Sequence, residues 1–255
     1  VNPLLGYMHM SLAFGWFLLI SVGWIETIAY LGFKMIPLQG HVFFKYFAVL
    51  NNIEGHKPMF DFVMDFLLLF VLSGVSLAWL KRMRSRAMGM KKTTQLLTFD
   101  HIALSALWFV FPVRLLAESL TSAIYGGGSF LTGGVGSLLA AGISTDILQI
   151  FYEPIWWFYS FALGIFFVAM PFSRYMHIFT EIPLIFLRHF KLRPGAKEKS
   201  YDNFEVEACS RCGICIDPCQ LQLQLGINDV QSVYFLRDRR KNRLQQKIAN
   251  NCLMC

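Results

Sequence analysis

Four cysteines stand in the run Cys209-Ser-Arg-Cys212-Gly-Ile-Cys215-Ile-Asp-Pro-Cys219. Thiolates two, two and three residues apart on tight turns converge on one cubane 4Fe-4S cluster, and the fourth of such a run normally serves a second cluster. Cys252-Leu-Met-Cys255 reads as the start of that second run. Two more cysteines would complete it, so the protein is expected to continue past Cys255; otherwise only one cluster can be assembled. A zinc ribbon built from Cys212, Cys215, Cys252 and Cys255 is the alternative chemistry, but it leaves Cys209 and Cys219 without a role. All six cysteines lie in the last quarter of the chain. A secreted disulfide protein scatters its cysteines, so this clustering indicates metal binding in a reducing compartment.

Three histidines, His9, His101 and His177, fall in or at the edge of apolar stretches, where ionisable groups are costly and usually functional. Two neutral imidazoles on different helices are what bis-histidine haem ligation requires. From the residues alone, His101, beside Asp100 at a membrane edge, reads as solvated by headgroups. His9 and His177 stand evenly between that reading and ligation.

The elements that must carry these groups are membrane helices. Hydrophobic residues make up 55% of the 255 and charged ones 15%, against roughly 45–50% and 25% in soluble domains. Four stretches reach the ~20 apolar residues needed to cross a bilayer: Tyr7 to Phe33, Met59 to Leu80, Leu96 to Tyr125 and Ile155 to Ile178. The second is entered through Pro58, tolerated in a first turn, and Pro171 is expected to kink the fourth. A further helix upstream of Val1 would make five. No cleavable signal peptide is evident.

The loop after span two carries Lys81, Arg82, Arg84, Arg86, Lys91 and Lys92, whereas Gly126 to Thr145 carries no charge. The positive-inside rule makes the first loop cytoplasmic. Alternation then puts the Lys34 to Lys57 and Gly126 to Thr145 loops outside and the cysteine module inside. The net charge of +7 reflects basic residues just outside the spans, which argues against nucleic acid as a partner. Residues 1–190 are thus expected to form a transmembrane domain and 191–200 a linker. Residues 201–255 would be an iron-sulfur module, incomplete at its C-terminal end.

Several motifs resemble a known family. Pro171-Phe-Ser-Arg-Tyr-Met-His177, followed by Pro183 and Arg188, resembles the last helix of the cytochrome b subunit of respiratory nitrate reductase and of its relatives in membrane-bound heterodisulfide reductases and sulfite-reduction-associated complexes. Met8-His9-Met10, with Gly15, resembles the matching earlier helix, and Trp156 and Trp157 fit the same pattern, or otherwise read as interfacial aromatics. The C-terminal segment resembles the ferredoxin-like module of heterodisulfide reductase, except that Pro218 precedes the fourth cysteine and Gln220 follows it.

The resemblance implies an all-α membrane protein of the bacterial or archaeal cytoplasmic membrane: a four-helix cytochrome b bundle followed by a small α-helical ferredoxin-like module on the cytoplasmic side. It implies His9 and His177 as axial ligands of haem b. The family's second haem uses positions that are Leu19 and Tyr159 here, so one haem is expected. The implied function is a quinone-linked iron-sulfur oxidoreductase, or an electron-transfer subunit of one. It would connect the quinone pool to a cytoplasmic redox protein, or to further iron-sulfur or flavin subunits. A membrane anchor without haem, whose cysteine module docks a separate redox enzyme, is the alternative.

Candidates for a quinone site are Glu26, Tyr159 and Arg114. Glu26 lies about 25 Å along a helix from His9, near the outer face, and Tyr159 is expected at similar depth. Arg114 and Glu118, four residues apart, can pair on one helix face. Asp61 and Asp65 read as capping or lining the outer end of span two. His41 and His56 read as solvated, and Gly126-Gly-Gly and Gly133-Gly134, without a P-loop lysine, as flexible loop.

Overall fold

The computed structural model describes residues 3–31, 58–88 and 98–192. The six cysteines, the 191–200 linker from residue 193 onward, His41 and His56 lie outside them. The described residues are helical: α1 (Pro3–Leu31), α2 (Pro58–Ala87), α3 (Thr98–Tyr125), α4 (Thr132–Gly142), α5 (Thr145–Ala169) and α6 (His177–His189), with two short 3-10 turns, Met170–Phe172 and Arg174–Met176, before α6. Four helices are long and apolar enough to cross a membrane, over Gly6–Ile25, Met59–Arg84, Thr98–Tyr125 and Thr145–Phe172. The chain is a multi-pass membrane protein.

The chain divides into two compact units, one taking Val1–Met90 and Leu104–Phe166, the other Lys91–Ala103 and Phe167–Cys255. In the first, α1, α2, α3 and α5 share one apolar core containing Leu19, Val71, Phe111, Trp156 and Leu163. The opposite faces are equally apolar: Phe14, Phe17, Phe62, Phe66, Phe109 and Phe158 are all exposed. Such a surface would be a liability in water but suits hydrocarbon.

Close approach of α1 and α2 depends on small residues, the general device of membrane helix packing. A Cβ on Gly15 would stand 2.5 Å from Val71 Cγ2, and one on Gly74 would collide with the Ser11 hydroxyl. Gly15, part of the resemblance noted above, thus has a packing reason to be glycine.

Two expectations need correction. The uncharged Gly126 to Thr145 segment is not wholly a loop, because Thr132–Gly142 is a helix that includes Gly133 and Gly134. Buried Asp65 of α2 holds its entry. The Asp65 carboxylate accepts hydrogen bonds from the backbone N–H groups of Ser129 (3.1 Å), Leu131 (2.8 Å) and Thr132 (3.0 Å), and from the Thr132 hydroxyl (2.7 Å). Those N–H groups have no partner within the helix, and a carboxylate there also meets the positive end of its dipole.

The fourth span begins and ends earlier than expected, at Thr145 rather than Ile155. Pro154 sits inside α5, where neighbouring helices make a proline tolerable. Pro171 does more than kink a continuing helix: α5 ends at Ala169, and Ser173 is extended between the two 3-10 turns. Tyr159 is therefore at mid-helix, not near the outer end. His177 opens α6 instead of lying near the end of span four.

Candidate functional site

In the second unit, the polar groups gather where α3 begins and α5 gives way to α6. Asp100, in the first turn of α3, is 1% exposed. Its Oδ1 accepts the Arg174 backbone N–H at 2.6 Å. Within the break after α5, the Ser173 hydroxyl donates to the Met170 carbonyl at 3.0 Å and accepts the Tyr175 N–H at 3.3 Å. Phe99 and Phe172 pack with ring centroids 5.2 Å apart beside it.

This clamp fixes a histidine. The Arg174 carbonyl lies 2.7 Å from His177 Nδ1, which is half-buried. A neutral imidazole that donates through Nδ1 keeps the Nε2 lone pair for a metal, the usual way a backbone carbonyl sets ligand tautomer and orientation. Tyr175, next to this peptide, has its hydroxyl pushed up to about 12 from the ordinary 10.0, chiefly by burial, with Asp100 reinforcing and Arg174 opposing. It is a neutral phenol at physiological pH.

His9 lies on α1 and is exposed, and His101 is exposed on α3. Glu26 belongs to α1, but its side chain is outside the described residues. Among the described residues, no three His, Cys, Asp or Glu side chains converge as a metal-holding group.

The first unit brings two of the expected quinone-site residues together. Arg114 and Tyr159 are both 4% exposed, in the middle of α3 and α5. Arg114 hydrogen-bonds the Tyr159 hydroxyl and pairs with Glu118 at 3.6 Å, and Glu118 is within electrostatic reach of Tyr159. Trp156, expected at an interface or in the family's pattern, is fully buried one turn away, its Nε1 donating to Thr121 Oγ1 at 3.1 Å. Glu118 and Thr121 complete a cluster that sequence reasoning saw only as one ion pair. The signal was present, since 114, 118 and 121 recur at helical spacing, but their α5 partners required the span's true register.

Leu19 and Tyr159 belong to the same packed core, and Leu19 is 0% exposed. No family model, curated protein or solved structure matches the chain.

Proposed function

We propose that the chain is a membrane electron-transfer subunit linking the quinone pool to a cytoplasmic redox partner through one haem b and one or two 4Fe-4S clusters. The observation that carries this reading is the His177 clamp, in which Asp100 holds the Arg174 peptide and the Arg174 carbonyl meets His177 Nδ1. The donor set fits an axial ligand: an imidazole with Nδ1 engaged presents Nε2 in one tautomer and one orientation. His9 would supply the second axial nitrogen. Haem, when bound, supplies a reversible one-electron carrier in the bilayer.

Cys209, Cys212 and Cys215 would ligate one cluster, and Cys219, Cys252 and Cys255 would contribute to the other, on the cytoplasmic side. The packed core at Leu19 and Tyr159 supports one haem rather than two. Exposure of His9 is the observation that favours the second reading, a haem-free anchor whose cysteine module docks a separate redox enzyme.

The test is spectroscopic and analytical. Purified protein reduced with dithionite should show a b-type alpha band and contain both iron and acid-labile sulfide. Labile sulfide without the band would select the anchor reading, and zinc without sulfide would select the ribbon.

The clamp makes a graded prediction. Asp100→Ala removes the anchor of the Arg174 peptide and should weaken haem retention about 10–100-fold, the usual effect of losing an outer-shell partner. Asp100→Asn keeps an acceptor oxygen and should fall between that variant and wild type. Haem stoichiometry after dilution and re-equilibration measures both. Equal retention in all three proteins would leave Asp100 with a purely structural role.

A further inference from the structure

The Arg114–Glu118 pair is at 5% and 14% side-chain exposure in the middle of a helix that can cross the membrane. Ionisable groups there are expensive, and replacing a buried pair by apolar residues of similar volume is often neutral or stabilising. Packing alone therefore does not account for it. The geometry is also not that of a tight pair, since 3.6 Å is well beyond the ~2.7–2.9 Å of a strong charge-assisted hydrogen bond. Arginine keeps its charge in proteins and carries no acceptor, whereas a carboxylate can take a proton and a tyrosine hydroxyl can accept and donate at once.

The pair is one end of a polar seam between α3 and α5. Arg114 meets Tyr159. One turn on, the Thr121 hydroxyl accepts from Trp156 Nε1 and donates to the Ala117 carbonyl at 2.8 Å. At the end of α3, Tyr125 and Tyr152 pack with ring centroids 5.6 Å apart, and Tyr125 is exposed. From Arg114 to Tyr125 the seam covers about 16 Å along the helix axis. The hydroxyls of Ser119 and Ser160, neighbours in sequence of Glu118 and Tyr159, are buried with no partner among the described residues.

We propose that Glu118 is a proton-binding group within a helix that can cross the membrane, beside Arg114 and Tyr159. The groups that face it include Arg114 from its own helix and Tyr159 from α5. Buried Asp65, by contrast, is taken up by residues 129–132. The ligand is a proton. Its use rests on the electron-transfer reading: a quinol that gives up two electrons to a redox partner releases two protons, of which the Glu118 carboxylate would take one to become the carboxylic acid and bulk water the other.

The test does not need haem. Infrared difference spectra of the full chain in lipid nanodiscs, recorded against pH in water and in heavy water, should show the C=O stretch of a buried carboxylic acid that grows as pH falls. It should shift on deuteration, be absent from Glu118→Gln, and change its titration midpoint in Tyr159→Phe. If Glu118→Gln does not fold, the Arg114→Leu, Glu118→Leu double variant replaces it, with the same loss of the band expected. A wild-type protein with no such band, or a band that survives either Glu118 substitution, overturns the proposal and leaves a permanently ionised structural pair. A positive infrared result in protein lacking a haem band would refute the electron-transfer reading while leaving the proton site standing.

Discussion

His177→Ala is expected to remove the b-type alpha band completely, while His101→Ala retains it. The two residues are a sharp comparison because both lie close in sequence to members of the same clamp. His101 follows Asp100 in the first turns of α3 and is exposed, with no part in the clamp's hydrogen bonds. His177 is half-buried, and its Nδ1 faces the Arg174 carbonyl at 2.7 Å. On the proposed reading, removing its imidazole would delete an axial nitrogen outright, a larger loss than the outer-shell effect expected at Asp100. His9→Ala should lose the band as well. The measurement is a reduced-minus-oxidised spectrum on detergent-purified protein, with elution volume confirming that each variant is folded. A full band in His177→Ala would show that the clamp serves only to end α5 and begin α6.

How far these residues could be read in advance depended on whether the determining partner was near in sequence. The bounds of α1, α2 and α3 differ by a few residues from those expected, apart from the longer C-terminal end of α2, because hydropathy over a 20-residue window is a local property. The Arg114–Glu118 pairing was equally local, following from helical spacing. The fourth span begins at Thr145 rather than at the expected Ile155. Bundle context allows a proline inside α5, and Trp156 is consequently a core residue bonded to Thr121. The Arg174 carbonyl as partner of His177 was hidden for a different reason. It arises from a backbone break that Pro171 hinted at and that Asp100, 74 positions away, stabilises.

Helix α4, too, is determined by a partner far away in sequence. A short, glycine-rich, uncharged segment has little reason of its own to be helical, since each glycine in a helix interior costs roughly 0.5–1 kcal/mol relative to alanine. What α4 has is an external anchor, with Asp65 more than sixty positions earlier accepting three backbone N–H groups and one hydroxyl at its entry. Asp65→Ala strands those donors in a buried site, at about 1–3 kcal/mol for each group left unsatisfied. Some will find new partners by rearrangement, so a net loss of roughly 3 kcal/mol is expected. Every ~1.4 kcal/mol is tenfold in an equilibrium, and cleavage of a rapidly opening segment follows its open population. Proteolysis between residues 126 and 132 should therefore speed up about a hundredfold in Asp65→Ala. Asp65→Asn keeps an oxygen for the N–H groups and loses mainly the charge at the helix N-terminus, worth about 1 kcal/mol, so its cleavage should rise only several-fold. Cleavage of Asp65→Ala at the wild-type rate would mean that α4 is held by packing of its own residues, and that the Asp65 hydrogen bonds follow the fold instead of fixing it.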